Sequence, residues 1–110
     1  MSRIKIFESK LKATEALTVN KPFLVSINGV KICIVKSQLG LSAFKNNCPH
    51  AGASLSDGHI NSSNEIVCPL HGYRFSLLDG REKSGNSCEL YMYGLELTDE
   101  GLFLNIRKRA

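Results

Sequence analysis

Four side chains in the middle of the chain have the types and spacing to hold metal: Cys48-x-His50, then 17 residues, then Cys68-x-x-His71. Two thiolates and two imidazoles in paired loops suit zinc, or iron combined with inorganic sulfide. Zinc fingers pair like with like, cysteines two to four residues apart and histidines three to five apart. Here each loop supplies one Cys and one His. That division suits two irons, one taking both cysteines and the other both histidines. The other candidates read more plainly. Cys33, mid-strand in KICIV, and Cys88, outside both pairs, read as packed thiols, and a bridge between them is disfavoured in a reducing compartment. His59 belongs to neither pair and reads as a solvent-facing turn residue.

Strands joined by tight turns must position those loops. Residues 22–27 run into Asn28-Gly29 and then into 30–35. An Asn-Gly pair between two β-rich runs marks a hairpin, because both residues tolerate positive φ. A second turn at 37–40 leads to a short alternating run at 41–45, after which alternation gives way to a small-residue loop, NNCPHAGASL. Asp57-Gly58 and 61–64 supply turns, 65–67 resumes as a strand into the second loop, CPLHGYRF, and Asp79-Gly80 turns again. Near the end Tyr91, Tyr93, Leu95 and Leu97 share one face, so the tyrosines read as core or half-exposed strand residues and not as a binding platform. After a turn at 99–101, Leu102, Leu104 and Ile106 share a face of the last strand. Segment 10–18, KLKATEALT, is the place for a helical turn. The pattern predicts an all-β fold, an antiparallel sandwich or barrel. It predicts one domain over 1–110, with the two loops (about 46–80) as a small inserted subdomain.

CPHAGASL followed by CPLHGYRF closely resembles the two cluster-binding boxes of Rieske proteins, in which a pair of histidines replaces a pair of cysteines on one iron. The frame is similar too, over about residues 20–107: a strand before the first box, a DG turn after it, an Ile-Val lead-in to the second, and another DG turn. The resemblance implies one [2Fe–2S] cluster, with Cys48 and Cys68 on an inner iron and His50 and His71 on an outer iron near the surface. Gly52 and Gly72, close after the ligand histidines, would let backbone amides approach the sulfides, while Pro49 and Pro69 limit loop freedom. Two ferric irons, two sulfides, two thiolates and two neutral imidazoles sum to zero charge. An electron adds to such a cluster more easily than to a four-thiolate dianion, which puts the potential at roughly −150 to +300 mV. The added electron is expected on the histidine-ligated iron, making His50 and His71 its exit. Oxidation is expected to ease loss of a ring proton, so the potential falls with pH at the alkaline end.

Quinol-oxidising Rieske proteins carry a further bridging cysteine in each box, where this chain has Ala53 and Leu70. They also place a serine and a tyrosine donor where this chain has Tyr73 and Phe75. Fewer donors stabilise the reduced cluster less, which places the potential at the low end of the range. These departures resemble the small Rieske ferredoxins that feed ring-hydroxylating oxygenases, apart from RFS, with Ser76, in place of RFD. An oxygenase large subunit adds a mononuclear-iron domain, for which 110 residues leave no room. The resemblance thus implies an electron carrier without its own substrate site, a monomer or weak oligomer passing electrons from a ferredoxin reductase to a terminal oxygenase. Two rivals remain. One is the small Rieske-like subunit of assimilatory nitrite reductase, many of which have lost the ligands kept here; the other is a zinc-stabilised binding module.

Composition narrows the setting. A net charge of +4 arises from 14 Lys and Arg against 10 Asp and Glu. Many cations lie at the two ends: Arg3, Lys5, Lys10, Lys12 and Lys21, then Arg107, Lys108 and Arg109. No continuous basic stripe with stacking aromatics points to nucleic acid, so the charge reads as a solvated surface weakly suited to an acidic docking partner. The opening residues lack the apolar run of a secretory signal, and no stretch approaches the roughly 20 apolar residues of a membrane span. A cytoplasmic chain with reduced thiols is expected.

Overall fold

The computed structural model describes residues 3–49, 52–83 and 88–108, the side chains of 107 and 108 excepted. In chain order the elements are β1 (Arg3–Phe7), α1 (Lys10–Ala16), β2 (Phe23–Ile27), β3 (Val30–Ser37) and β4 (Gly40–Lys45). A 3₁₀ turn (Leu55–Asp57) follows, then β5 (His59–Ile60), β6 (Glu65–Val67), β7 (Arg74–Ser76), β8 (Met92–Thr98) and β9 (Gly101–Lys108). Antiparallel pairing builds a six-stranded sheet, β1-β9-β8-β4-β3-β2, and a three-stranded one, β5-β6-β7. The hairpin forms as the sequence predicts: Ile27 pairs with Val30, and Asn28 and Gly29 take φ of 52° and 81°.

β3 organises the interior. Ile32, Cys33, Ile34 and Val35 are all buried, although successive strand residues point to opposite faces. Both faces of the sheet are therefore covered here. Ile32 and Ile34 join Ala13 and Leu17, from α1 and its end, with Ala43, Tyr93, Leu102 and Leu104. Cys33 and Val35 join Phe44 and Met92 with Leu55, Ile66, Phe75, Leu77 and Leu90. The second group comes largely from the loop region, which packs against β3, β4 and β8. A buried bond from the Ser42 hydroxyl to the Leu77 carbonyl, 3.0 Å long, ties it there. The main sheet curls: Phe7 and Phe23, from its opposite edge strands, lie 5.5 Å apart between ring centroids.

The helical turn at 10–18 is the two-turn helix α1, capped by Ser9, whose hydroxyl accepts from the Lys12 N–H at 3.1 Å. Three strands escape the sequence reading. β5 and β7, of two and three residues, are too short to show alternation. β1 hides behind cations that serve it: Arg3 and Lys5 lie over the Phe103 ring, 4.1 and 5.5 Å from its centroid, and guard an edge strand.

Candidate metal centre

The first loop is a hairpin tip extended from β4. Buried Asn46 closes its base: its N–H donates to Lys31 O (3.0 Å), its carbonyl accepts from Leu55 N (2.8 Å), and its Oδ1 accepts from Ser56 N (2.9 Å). Asn47 then pairs with Ser54, and the Cys48 N–H reaches the Ala53 carbonyl at 2.9 Å. The described ladder ends there. The Gly52 N–H returns to the Cys48 carbonyl at 2.9 Å. His50, assigned to the ligand set from sequence, lies outside the described residues.

The second loop repeats this plan. β6 and β7 pair Ile66 with Phe75 and Val67 with Arg74, and the Cys68 N–H then reaches the Tyr73 carbonyl at 2.8 Å. Each cysteine thus opens a hairpin tip closed by its own N–H on the carbonyl five residues later. Buried Glu65 clamps the base, accepting from Asn61 Nδ2 at 2.7 Å and from Arg74 at 3.4 Å. His71 is exposed at the tip with φ of 70°, a left-handed conformation that costs a non-glycine residue roughly 1–2 kcal/mol. The Tyr73 ring meets it edge-on, 6.3 Å between centroids. Gly52 and Gly72 have φ of 69° and 70°, and a Cβ on either would touch no atom within 4 Å. Within the chain, their glycine character answers to backbone conformation and not to crowding.

The two loops bring Cys48 and Cys68 together. Both are free thiols, 2% and 1% exposed, in the apolar group formed with Phe44, Leu55, Ile66 and Phe75. Burial pushes the Cys68 thiol above its ordinary range; a Leu70 backbone hydrogen bond pulls it down, and a hydrogen bond with Cys48 adds to the rise. A deep pair of sulfurs with an amide aimed at one of them, and a histidine outward at the tip, is a donor set split by depth. That split fits a two-iron group better than one ion, whose ligands must share a centre. Among the described residues no third Cys, His, Asp or Glu completes a single-ion cage around the sulfur pair.

The other singled-out residues are accounted for as follows. Cys33 is a fully buried packing thiol, as expected. Cys88 also packs, but against the same apolar group as Cys48 and Cys68. Burial raises its thiol first, then the charges of Glu82 and Cys48. Nothing local in the sequence signals that neighbourhood. Tyr91 and Tyr93 pack 5.1 Å apart as core residues. His59 is exposed as expected, but it sits in β5 opposite Val67 and not in a turn.

The family model for the Rieske [2Fe–2S] domain matches residues 8–91. The chain belongs to that family. A Rieske domain implies a single [2Fe–2S] cluster, and the paired loops are the part of this chain that fits one. The carnitine monooxygenase oxygenase subunit of Escherichia coli (strain K12) is 35% identical over 78 residues, 70% of this chain and 21% of that protein. The ferredoxin component of the naphthalene 1,2-dioxygenase/salicylate 5-hydroxylase systems of Ralstonia sp is 37% identical over 57 residues, 52% of this chain and 54% of that protein. The match thus spans about half or less of these curated relatives. The ferredoxin of carbazole 1,9a-dioxygenase from Nocardioides aromaticivorans IC177 has the same Rieske fold. Its TM-score is 0.81 at 21% identity, covering 97% of this chain and 100% of that one. Among the described residues no helix is long and apolar enough to cross a membrane.

Proposed function

We propose that this Rieske chain is a one-electron carrier, one module over 1–110, in which Cys48 and Cys68 hold the inner iron and His50 and His71 the outer iron. One observation carries the reading: two buried thiols in contact at the bases of two matching hairpin tips, with His71 exposed beyond them. The cluster supplies reversible one-electron uptake at a potential set by its ligands and their hydrogen bonds. The chain's own residues do the rest. The apolar group around Cys48 and Cys68 keeps water from the sulfurs, and the Leu70 amide offsets charge on Cys68. Tyr73 limits how the His71 ring turns. An exposed histidine on a short tip brings the outer iron within reach of a partner's surface.

The proposed setting is the cytoplasm, between a ferredoxin reductase and a terminal oxygenase of the ring-hydroxylating kind. The role of the Ralstonia relative, a ferredoxin component, supports it. The chain then needs no substrate site of its own.

Purification without air tests the ligand set. Wild type is expected to contain two irons and two acid-labile sulfides per chain, to be red-brown, and to give a rhombic EPR signal when reduced. Cys48→Ala and Cys68→Ala are expected to lose the cluster, and Cys88→Ser to keep it. A colourless protein containing zinc and no sulfide would replace this reading with a structural metal site. Mixing with candidate reductases and oxygenases tests the setting: substrate turnover should require this chain in its cluster-loaded form.

A further inference from the structure

In sequence Asp57-Gly58 reads as a turn, but Gly58 has φ of −87° and ψ of −156°, outside the left-handed region that demands glycine. Space is the constraint. A Cβ at Gly58 would lie 1.9 Å from the Val67 carbonyl oxygen, 3.1 Å from its carbon and 3.2 Å from the Leu55 oxygen. All three are backbone atoms, which cannot rotate aside. The carbonyl belongs to the peptide joining Val67 to Cys68. The antiparallel register, His59 with Val67 and Ile60 with Ile66, extends to put Gly58 opposite Cys68 itself.

On its other side Gly58 is tied to the first loop. Its N–H donates to Leu55 O at 2.9 Å, and the Leu55 N–H donates to Asn46 O at 2.8 Å, two residues before Cys48. Two backbone hydrogen bonds and one tight contact therefore run from the base of the Cys48 loop to the Val67–Cys68 peptide. We propose that Gly58 is a positioning residue, whose missing side chain sets the separation of the two cysteine loops. The proposal rests on the ligand set given above.

Magnitudes support a specific effect. With a Cβ in place the Val67 carbonyl must retreat by about 1 Å to reach even 3.0 Å. Metal–ligand distances tolerate only about ±0.2 Å. The displacement acts on the residue next to a sulfur ligand, so the cluster feels it before the six-stranded sheet does.

Gly58→Ala is expected to hold less than half the wild-type iron and sulfide per chain, with a changed EPR line shape and midpoint potential in the clusters that remain. Its far-UV circular dichroism should match wild type. Gly29→Ala is the reference: Gly29 has φ of 81° with no atom near a built Cβ, and it lies in a remote turn. That variant should lose stability yet keep a full cluster with wild-type EPR. Gly58→Ala with full cluster content and unchanged line shape and potential would overturn the proposal. Should Gly58→Ala yield no soluble protein, glycine-¹³Cα NMR of the wild type decides. On reduction the Gly58 resonance should broaden with those of Gly52 and Gly72 while Gly29 stays sharp; a sharp Gly58 line overturns the proposal. The ligand reading fails separately, if Cys48→Ala and Cys68→Ala retain the cluster.

Discussion

Cys33 shows how a packing thiol becomes a pH sensor for the fold. Burial pushes it up to about 12 from an ordinary value of 9.0, against a hydrogen bond with the Phe23 backbone that pulls the other way. The folded state thus keeps the proton where the unfolded chain gives it up. The contribution is full below pH 9.0 and is lost as pH rises toward about 12. A displacement of that size corresponds to at most about 4 kcal/mol. Denaturant midpoints are expected to fall between pH 9 and 11, and to fall less in Cys33→Ala. Tyr93, raised by burial and then by Tyr91, keeps part of the slope. Equal slopes in the two proteins would remove Cys33 from the account. Phe75 bears on the cluster instead. It is fully buried in the group that holds Cys48 and Cys68 and has no side-chain donor. A midpoint at the low end of roughly −150 to +300 mV is expected for wild type, and a higher one for Phe75→Tyr. A redox titration giving equal midpoints would mean that donor count at this position does not set the potential.

Caps and hinges of individual elements separate stability from cluster binding. Ser9→Ala removes the cap of α1, which packs on the sheet face away from the loops. It should cost about 1 kcal/mol in urea unfolding and leave the EPR signal unchanged. Asn46→Ala removes the acceptor of the Ser56 N–H at the base of the first loop. It should cost a similar roughly 1–3 kcal/mol, yet speed iron release to a chelator several-fold, because the loss falls on the ligand loop. Equal release rates in the two variants would show that Asn46 holds the loop no more than the helix does. The same elements explain what could be read in advance. The Asn28-Gly29 hairpin, the helix near residue 10 and the lead-in at 65–67 were legible because their signals are local: turn chemistry, a cap, a β-branched run. The meeting of the two cysteine loops was legible because the residue types and spacings that mark them are local as well. β5 and β7 were not, since two or three residues carry no period and form through pairing with other segments, β6 above all. The tight approach of Gly58 to Val67 and the place of Cys88 beside the group of Cys48 and Cys68 depend on residues far apart in sequence, so no window contains them.

Taken whole, the molecule has two apolar groups on opposite faces of one curled sheet, and only one of them contains Cys48 and Cys68, the proposed ligands. The group around Ile34, Leu102 and Leu104 is closed by α1 and by aliphatic and aromatic side chains, Tyr93 among them. The other contains Cys48 and Cys68, whose thiols hydrogen-bond and, as the proposed ligands, would gain binding energy only when metal replaces their protons. Removing iron should therefore loosen the second group first, since opening free energies differ across a structure according to local packing. Hydrogen exchange on protein stripped of iron under reducing conditions tests this. Amides of Leu102, Leu104 and Ile34 are expected to stay protected, while those of Cys48, Leu55 and Cys68 lose protection by at least an order of magnitude against the loaded protein. Uniform loss across both sets would mean that the sheet and the loops open as one unit. In that case the cluster stabilises the whole fold, and the division of the interior by β3 has no energetic counterpart.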